Sequence, residues 1–108
     1  MMRNDEITTT IEIPAYLTLL DLEKVQSKAL RQIVVRGNVC LINMEKVCNV
    51  FSATIQLLLR IHDKAERLAC PLYIINANDS VSNALIAAGI NEKISFYEKL
   101  FQPELMEV

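Results

Sequence analysis

Apolar residues recur at two different periods along this chain, and the switches between the periods outline its elements. In "TTTIEI" (8 to 13), Ile11 and Ile13 alternate with Thr10 and Glu12 among β-branched neighbours, the pattern of a half-buried strand that Pro14 should end. The period then lengthens: Leu22, Val25, Ala29 and Ile33 recur at steps of three and four between Glu23, Lys24, Lys28 and Arg31. That spacing predicts an amphipathic helix over 21–36, stopped by Gly37. "VCLINM" (39 to 44) is nearly unbroken in its apolarity and suits a strand covered on both faces. A second helix from Ser52 to Ala69 sets Ile55, Leu58, Ile61, Ala65 and Leu68 on one side, opposite Gln56, Arg60, Asp63 and Arg67. "LYIIN" (72 to 76) repeats the buried-strand signature. "DSVSNALIAAG" (79 to 89) reads as a short helix capped by Asp79 or Ser80 and stopped at Gly89. A weak strand at "KISFY" and a last helix near 98 to 106 complete the pass.

Strand and helix alternate throughout, which is the order that builds a mostly parallel or mixed sheet with about four helices packed on it, an α/β fold. No repeat or linker divides the chain, and 108 residues with 52 % hydrophobic content supply one core, so a single domain over 1–108 is expected. Two glycines and three prolines are too few for a disordered or collagen-like chain.

Composition also removes function classes. Acidic residues exceed basic ones by two, and no basic stretch interleaves with aromatics, so nucleic acid is not an expected partner. Cys40, Cys48 and Cys70 match neither a CxxC pair nor a zinc-finger spacing, and they read as reduced thiols of a cytoplasmic protein. The N-terminal "MMRNDEITTT" has no signal-peptide core, and no run of about eighteen apolar residues would span a bilayer. His62 is the only histidine, falls at the edge of an apolar helical face, and has no Ser, Cys or Asp placed to form a triad with it. No His or Cys pair has helical metal-ligand spacing, and Gly37 and Gly89 are spent as helix stops rather than on a phosphate-cradling loop. A non-enzymatic protein with no metal and no cofactor is expected.

What remains is a hydroxyl in "VCNVFSATIQLLL" (47 to 59), where Ser52 stands between an aromatic residue and an aliphatic helix. As an N-cap it would contribute about 0.5 to 2 kcal/mol and need no function. At the same position a phosphoryl group would add roughly two negative charges at the positive end of a helix dipole, enough to switch off a contact surface. Periodicity leaves both readings open. It likewise leaves open whether Phe51 is an exposed aromatic anchor or core.

The run "VCLINMEKVCNVFSATIQLLL" resembles the hallmark of the STAS domain, best known from bacterial anti-sigma-factor antagonists. That hallmark is an apolar strand ending in an acidic residue, a short connection, then Asp-Ser-small-Gly-Leu opening a helix. Here Phe51 takes the aspartate position, Ser52 the serine, Ala53 the small residue, Thr54 the glycine and Ile55 the leucine. "PLYIINANDSVSNALIAAGINEKISFY" resembles the closing half of the domain, with Val81, Leu85 and Gly89 at their family positions, and the likeness runs from about Ile11 to Tyr97. Four departures are visible: Asn43 replaces the acidic strand end, Phe51 the aspartate, Thr54 the glycine, and "PAYLT" (14 to 18) the family's Gly-Glu-Leu-Asp loop.

The resemblance implies a regulatory module that is substrate and binding partner at once. A histidine-kinase-like serine kinase, itself an anti-sigma factor, would bind and phosphorylate it at Ser52, and a phosphatase would reset it. Asn49, Phe51, Ser52, Ala53, Thr54 and Gln56 form the expected docking face, on a monomer or weak dimer. The family also implies two alternatives: a binder no longer phosphorylated, and an accessory subunit of a lipid-transport ABC ATPase.

Overall fold

The computed structural model describes residues 8–97; the helix expected near 98 to 106 lies outside the described residues. Strand β1 (Thr8–Glu12) leads through helix α1 (Leu19–Leu30) to β2 (Val39–Asn43). Helix α2 (Ser52–Arg67), β3 (Leu72–Ile75), α3 (Asp79–Ala87), a single 3₁₀ turn (Ile90–Glu92) and β4 (Ser95–Phe96) follow. All strand pairs are parallel, in the spatial order β1-β2-β3-β4. The fold is α/β, with three α-helices among the described residues, and its sheet there is purely parallel rather than mixed.

Sequential parallel order has a consequence: right-handed crossovers all return on the same side, so α1, α2 and α3 share one face of the sheet. Register shows which residues they cover. Ile11, Ile42, Ile74 and Phe96 form one row across all four strands, and every member is buried. The next row, Thr10, Leu41, Tyr73 and Ser95, points the opposite way and is exposed or half-buried. The apolar run of β2 is therefore sealed on the helix side only, by Cys40, Ile42 and Met44, whereas Val39, Leu41 and Asn43 keep partial solvent contact.

The helices differ from their sequence outlines where side-chain bonds or packing decide. Helix α1 starts earlier because the Thr18 hydroxyl accepts the Asp21 N–H at 3.3 Å. It ends after Leu30 rather than at Arg36. Gln32 and Ile33 turn back through N–H bonds to the carbonyls of Ala29 and Leu30, which buries Ile33 and leaves β-branched Val34 and Val35 in solvent. Gly37 is a turn residue instead of the helix stop: at φ +85° its N–H reaches the Leu68 carbonyl at 2.9 Å and ties this loop to the end of α2.

Helix α2 buries Ala53, Thr54, Leu57, Leu58, Ile61 and Ala65, a stripe rotated from the expected one, with Ile55 and Leu68 at its margin. Against α1 it adds polar ties: Lys64 Nζ donates to the Leu30 carbonyl at 2.8 Å, a cation on a helix C-terminus, and Arg60 donates to Gln26 at 3.2 Å. Helix α3 is capped by Asn78, whose side chain accepts the Val81 N–H at 2.8 Å, so neither Asp79 nor Ser80 does that work. Strand β4 keeps only two of the five residues of "KISFY".

Candidate functional site

Register aligns the ends of three strands, Glu12 beside Asn43 and Asn43 beside Ile75, so the loops after β1, β2 and β3 leave the sheet along one edge. The loop after β2 turns through a Val47 N–H bond to the Met44 carbonyl and buries Val47 before rising to α2. The helix begins one residue earlier than a serine cap would have it. Phe51 is the N-cap, in extended backbone (φ −100°, ψ 167°), and Ser52 is the first helical residue.

A phenyl ring cannot accept a hydrogen bond from the helix, so the cap is built in reverse. The Thr54 hydroxyl accepts the Phe51 N–H at 3.2 Å, as the third helical residue does in a capping box. Val50 and Ile55, on either side of this turn, both pack partly on the core in the manner of a hydrophobic staple. The hydroxyl that steadies the helix entry is thus that of Thr54, which holds the N–H of the N-cap residue. The Ser52 side chain is exposed, with no hydrogen bond among the described residues.

The six residues expected to form one docking face separate into two groups. Asn49, Ser52 and Gln56 are exposed and Phe51 is half-buried, so these four reach the surface. Ala53 and Thr54 do not: each is 2 % exposed, because positions two and three of the helix turn toward the sheet. The Thr54 side chain belongs to the core and cannot contact a partner, whereas Ala53 lies at the back of a surface cleft.

Beside Ser52 the surface is apolar. The Phe51 ring meets the Tyr16 ring edge-on, with centroids 5.5 Å apart and planes at 74°. A cleft of about 200 Å³ opens there, walled by Tyr16, Leu17, Leu19, Phe51, Ser52 and Ala53. Next to it Tyr16, Leu19 and Leu20 are 72, 61 and 94 % exposed. The Phe51 ring is shared between cleft wall and solvent rather than sunk in the core. Sequence reading gave Tyr16, Leu19 and Leu20 no role, yet one signal was present: Leu20 stands out of phase with Leu22, Val25 and Ala29.

Asn43 does not turn toward Ser52. Its Oδ1 accepts the Glu45 N–H and the Asn76 Nδ2, both at 3.0 Å, and so fastens the end of β2 to the end of β3. Asn76 sits there in the left-handed region at φ 59°. A second, larger groove of about 480 Å³ runs between β1 and α1, lined in part by Thr10, Glu12, Val25, Lys28 and Lys46. Its Glu12–Lys46 pair, at 3.6 Å between exposed side chains, is a surface ion pair of little energetic weight.

His62 Nδ1 is buried without a hydrogen bond, 3.6 Å from Asp63 Oδ1. Among the described residues no cluster of three His, Cys, Asp or Glu could hold a metal ion. No helix there is long and apolar enough to cross a membrane.

The sequence model of the STAS domain matches residues 1–102. The chain belongs to the STAS domain family. A solved STAS-domain protein from Planctomyces limnophilus, described as an anti-sigma-factor antagonist, has the same fold, with a TM-score of 0.71 over 82 % of this chain and 80 % of that one. The two are 21 % identical, so this likeness speaks for the fold alone. No curated protein matches the chain. In this fold the exposed hydroxyl of Ser52 stands on the first helical residue of α2.

Proposed function

We propose that this STAS domain is a non-catalytic regulatory binding module, of the anti-sigma-factor-antagonist kind, whose contact with a protein partner is controlled by phosphorylation of Ser52. The partner in this reading is a histidine-kinase-like serine kinase that also acts as an anti-sigma factor, and a phosphatase restores the free hydroxyl. One observation carries the proposal: Ser52 is exposed and unbonded among the described residues at the start of α2, while Thr54 does the structural capping. A hydroxyl freed from structural work is available to a kinase, and the dipole of α2 tolerates the charge that results.

The docking surface comprises Asn49, Phe51, Ser52 and Gln56, extended by Tyr16, Leu19 and Leu20. Because it presents rings and aliphatic side chains, an apolar anchor on the partner fits it better than a charged one. Phosphoserine at the mouth of the Tyr16–Phe51 cleft would meet such an anchor with an unpaired charge and weaken the contact.

The loss of both family carboxylates favours a second reading, in which the domain binds without being phosphorylated, for example as a subunit of a lipid-transport ABC ATPase. Copurification followed by incubation with ATP separates the two. Signalling predicts a kinase-fold partner and phosphate on Ser52 by mass spectrometry, lost in Ser52→Ala. An ABC-type ATPase partner, with no label, would replace that reading with the second.

A further inference from the structure

Two of the three cysteines lie together at the end of the sheet remote from Ser52. Cys40 is the second residue of β2, and Cys70 stands two residues before β3, whose Leu72 pairs with Cys40 in register. Both are free, buried thiols, and the Cys40 N–H donates at 2.8 Å to the carbonyl of Pro71, the residue that follows Cys70. Three backbone carbonyls surround the sulfurs: Val35 and Leu68 lie 3.4 and 3.6 Å from the Cys70 Sγ, and Asn38 lies 3.9 Å from the Cys40 Sγ. The chain is shaped to bring Cys70 inward, since Ala69 takes a left-handed conformation at φ 55° and the Cys70 N–H closes onto the Ala65 carbonyl at 2.8 Å.

Access to the two sulfurs is unequal. Cys40 is sealed, whereas Cys70 keeps 6 % of its surface open beneath the loop that carries exposed Val34 and Val35. That loop is held by few bonds, chiefly the Gly37 N–H to the Leu68 carbonyl and an Arg36 guanidinium bond to the Arg67 carbonyl at 3.3 Å. Local opening there costs far less than global unfolding. Burial, and then the neighbouring Cys70, push the Cys40 thiol up to about 11, so Cys40 keeps its proton at neutral pH.

We propose that Cys40 and Cys70 form a covalent modification site, an intramolecular disulfide made when a peroxide reaches the pair. The Cys70 thiol loses its proton as its sulfur attacks one peroxide oxygen and breaks the O–O bond, giving a sulfenic acid and a hydroxide that takes up that proton to become the first water. The Cys40 sulfur then displaces the sulfenic oxygen, forms the S–S bond and releases its proton, so that two thiols are oxidised while the peroxide becomes two waters. The new bond closes a loop containing all of α2, including Ser52. It also removes the S–H donors facing the Val35, Asn38 and Leu68 carbonyls, which loosens the 31–38 loop.

The test uses the full chain with exposed Cys48 replaced (Cys48→Ser), which leaves the pair intact and the core untouched. The folded protein is treated with hydrogen peroxide, unfolded, alkylated, digested and mapped by mass spectrometry. The expected product is a cross-linked peptide joining Cys40 to Cys70, reversible by dithiothreitol, with a urea midpoint above that of the reduced protein and faster amide exchange over 33–38. Alkylation of both cysteines after treatment would overturn the proposal. So would over-oxidised Cys70 beside an alkylated Cys40, or a cross-link that forms only when peroxide is added in urea.

Discussion

Replacing Thr54 by valine tests the separation of roles at the start of α2. Valine keeps the volume and the β-branch of a residue that is 2 % exposed, so packing survives and only the hydroxyl is lost. That hydroxyl is the acceptor for the half-buried Phe51 N–H at 3.2 Å. Removing it forfeits a net bond of about 0.5 to 1.5 kcal/mol and strands a donor, a further cost of the same order, part of which is offset by the added methyl group at about 0.8 kcal/mol. The expected loss is therefore about 1 to 2 kcal/mol. Ser52→Ala deletes a hydroxyl with no partner among the described residues and should stay within about 0.5 kcal/mol of the parent. In urea titrations with a slope near 1 kcal/mol per molar, Thr54→Val lowers the midpoint by roughly 1 M or more, and Ser52→Ala barely moves it. Equal losses in the two variants, or none in Thr54→Val, would refute the assignment of Thr54 as structural and Ser52 as free.

Three further outcomes are expected. The Cys40 thiol is raised from 9.0 to about 11 in the folded state, so the unfolded chain gives up its proton first. Stability from this group is complete below pH 9 and falls as pH rises from 9 to 11, by on the order of 2 kcal/mol, and Cys40→Ala should flatten that decline in urea titrations run across the window. Lys64→Met keeps the aliphatic stem but removes the cation from the C-terminus of α1, and should cost about 1 kcal/mol by thermal unfolding. Leu57→Ala empties a site with no exposure and should cost about 2 to 5 kcal/mol, well above Ile55→Ala at the margin of the same helix, as chemical denaturation of the pair would show.

The element order was legible because strand and helix impose different periods. Ile11 and Ile13 are both sealed, as alternation implied, and the β2, α2 and β3 spans came within two residues of their observed ends. Boundaries failed where one local bond outweighs pattern. The Thr18 and Asn78 caps and the Ile33 turn are single contacts, and Ile33 continues the helical spacing so faithfully that periodicity carried α1 across a turn. The α2 stripe was misplaced for a different reason. Its sequence is apolar at 55, 57, 58, 59 and 61, and only packing against α1 and the sheet decides that Leu57 is sealed while Leu59 is partly open. At the start of α2, the position of Ser52 could be read from the chain, but burial of Ala53 and Thr54 could not, since it depends on which way the first turn faces.

The departures from the family pattern form one consistent change rather than scattered losses. An aspartate before the serine would accept an N–H of the first helical turn; phenylalanine cannot, and the Thr54 hydroxyl instead accepts the N–H of Phe51 itself, the other half of a capping box. The amide at 43 accepts two N–H bonds where a carboxylate would bring charge, and it directs them to Glu45 and Asn76, away from the serine. The first turn of α2 then holds no acidic residue. A phosphoryl group on Ser52 would be the only anion in that turn, beside a cleft walled by Tyr16, Leu19 and Phe51. In an already acidic setting the same modification would alter an existing potential by a fraction. On a surface of rings and aliphatic side chains it would change the character of the contact outright.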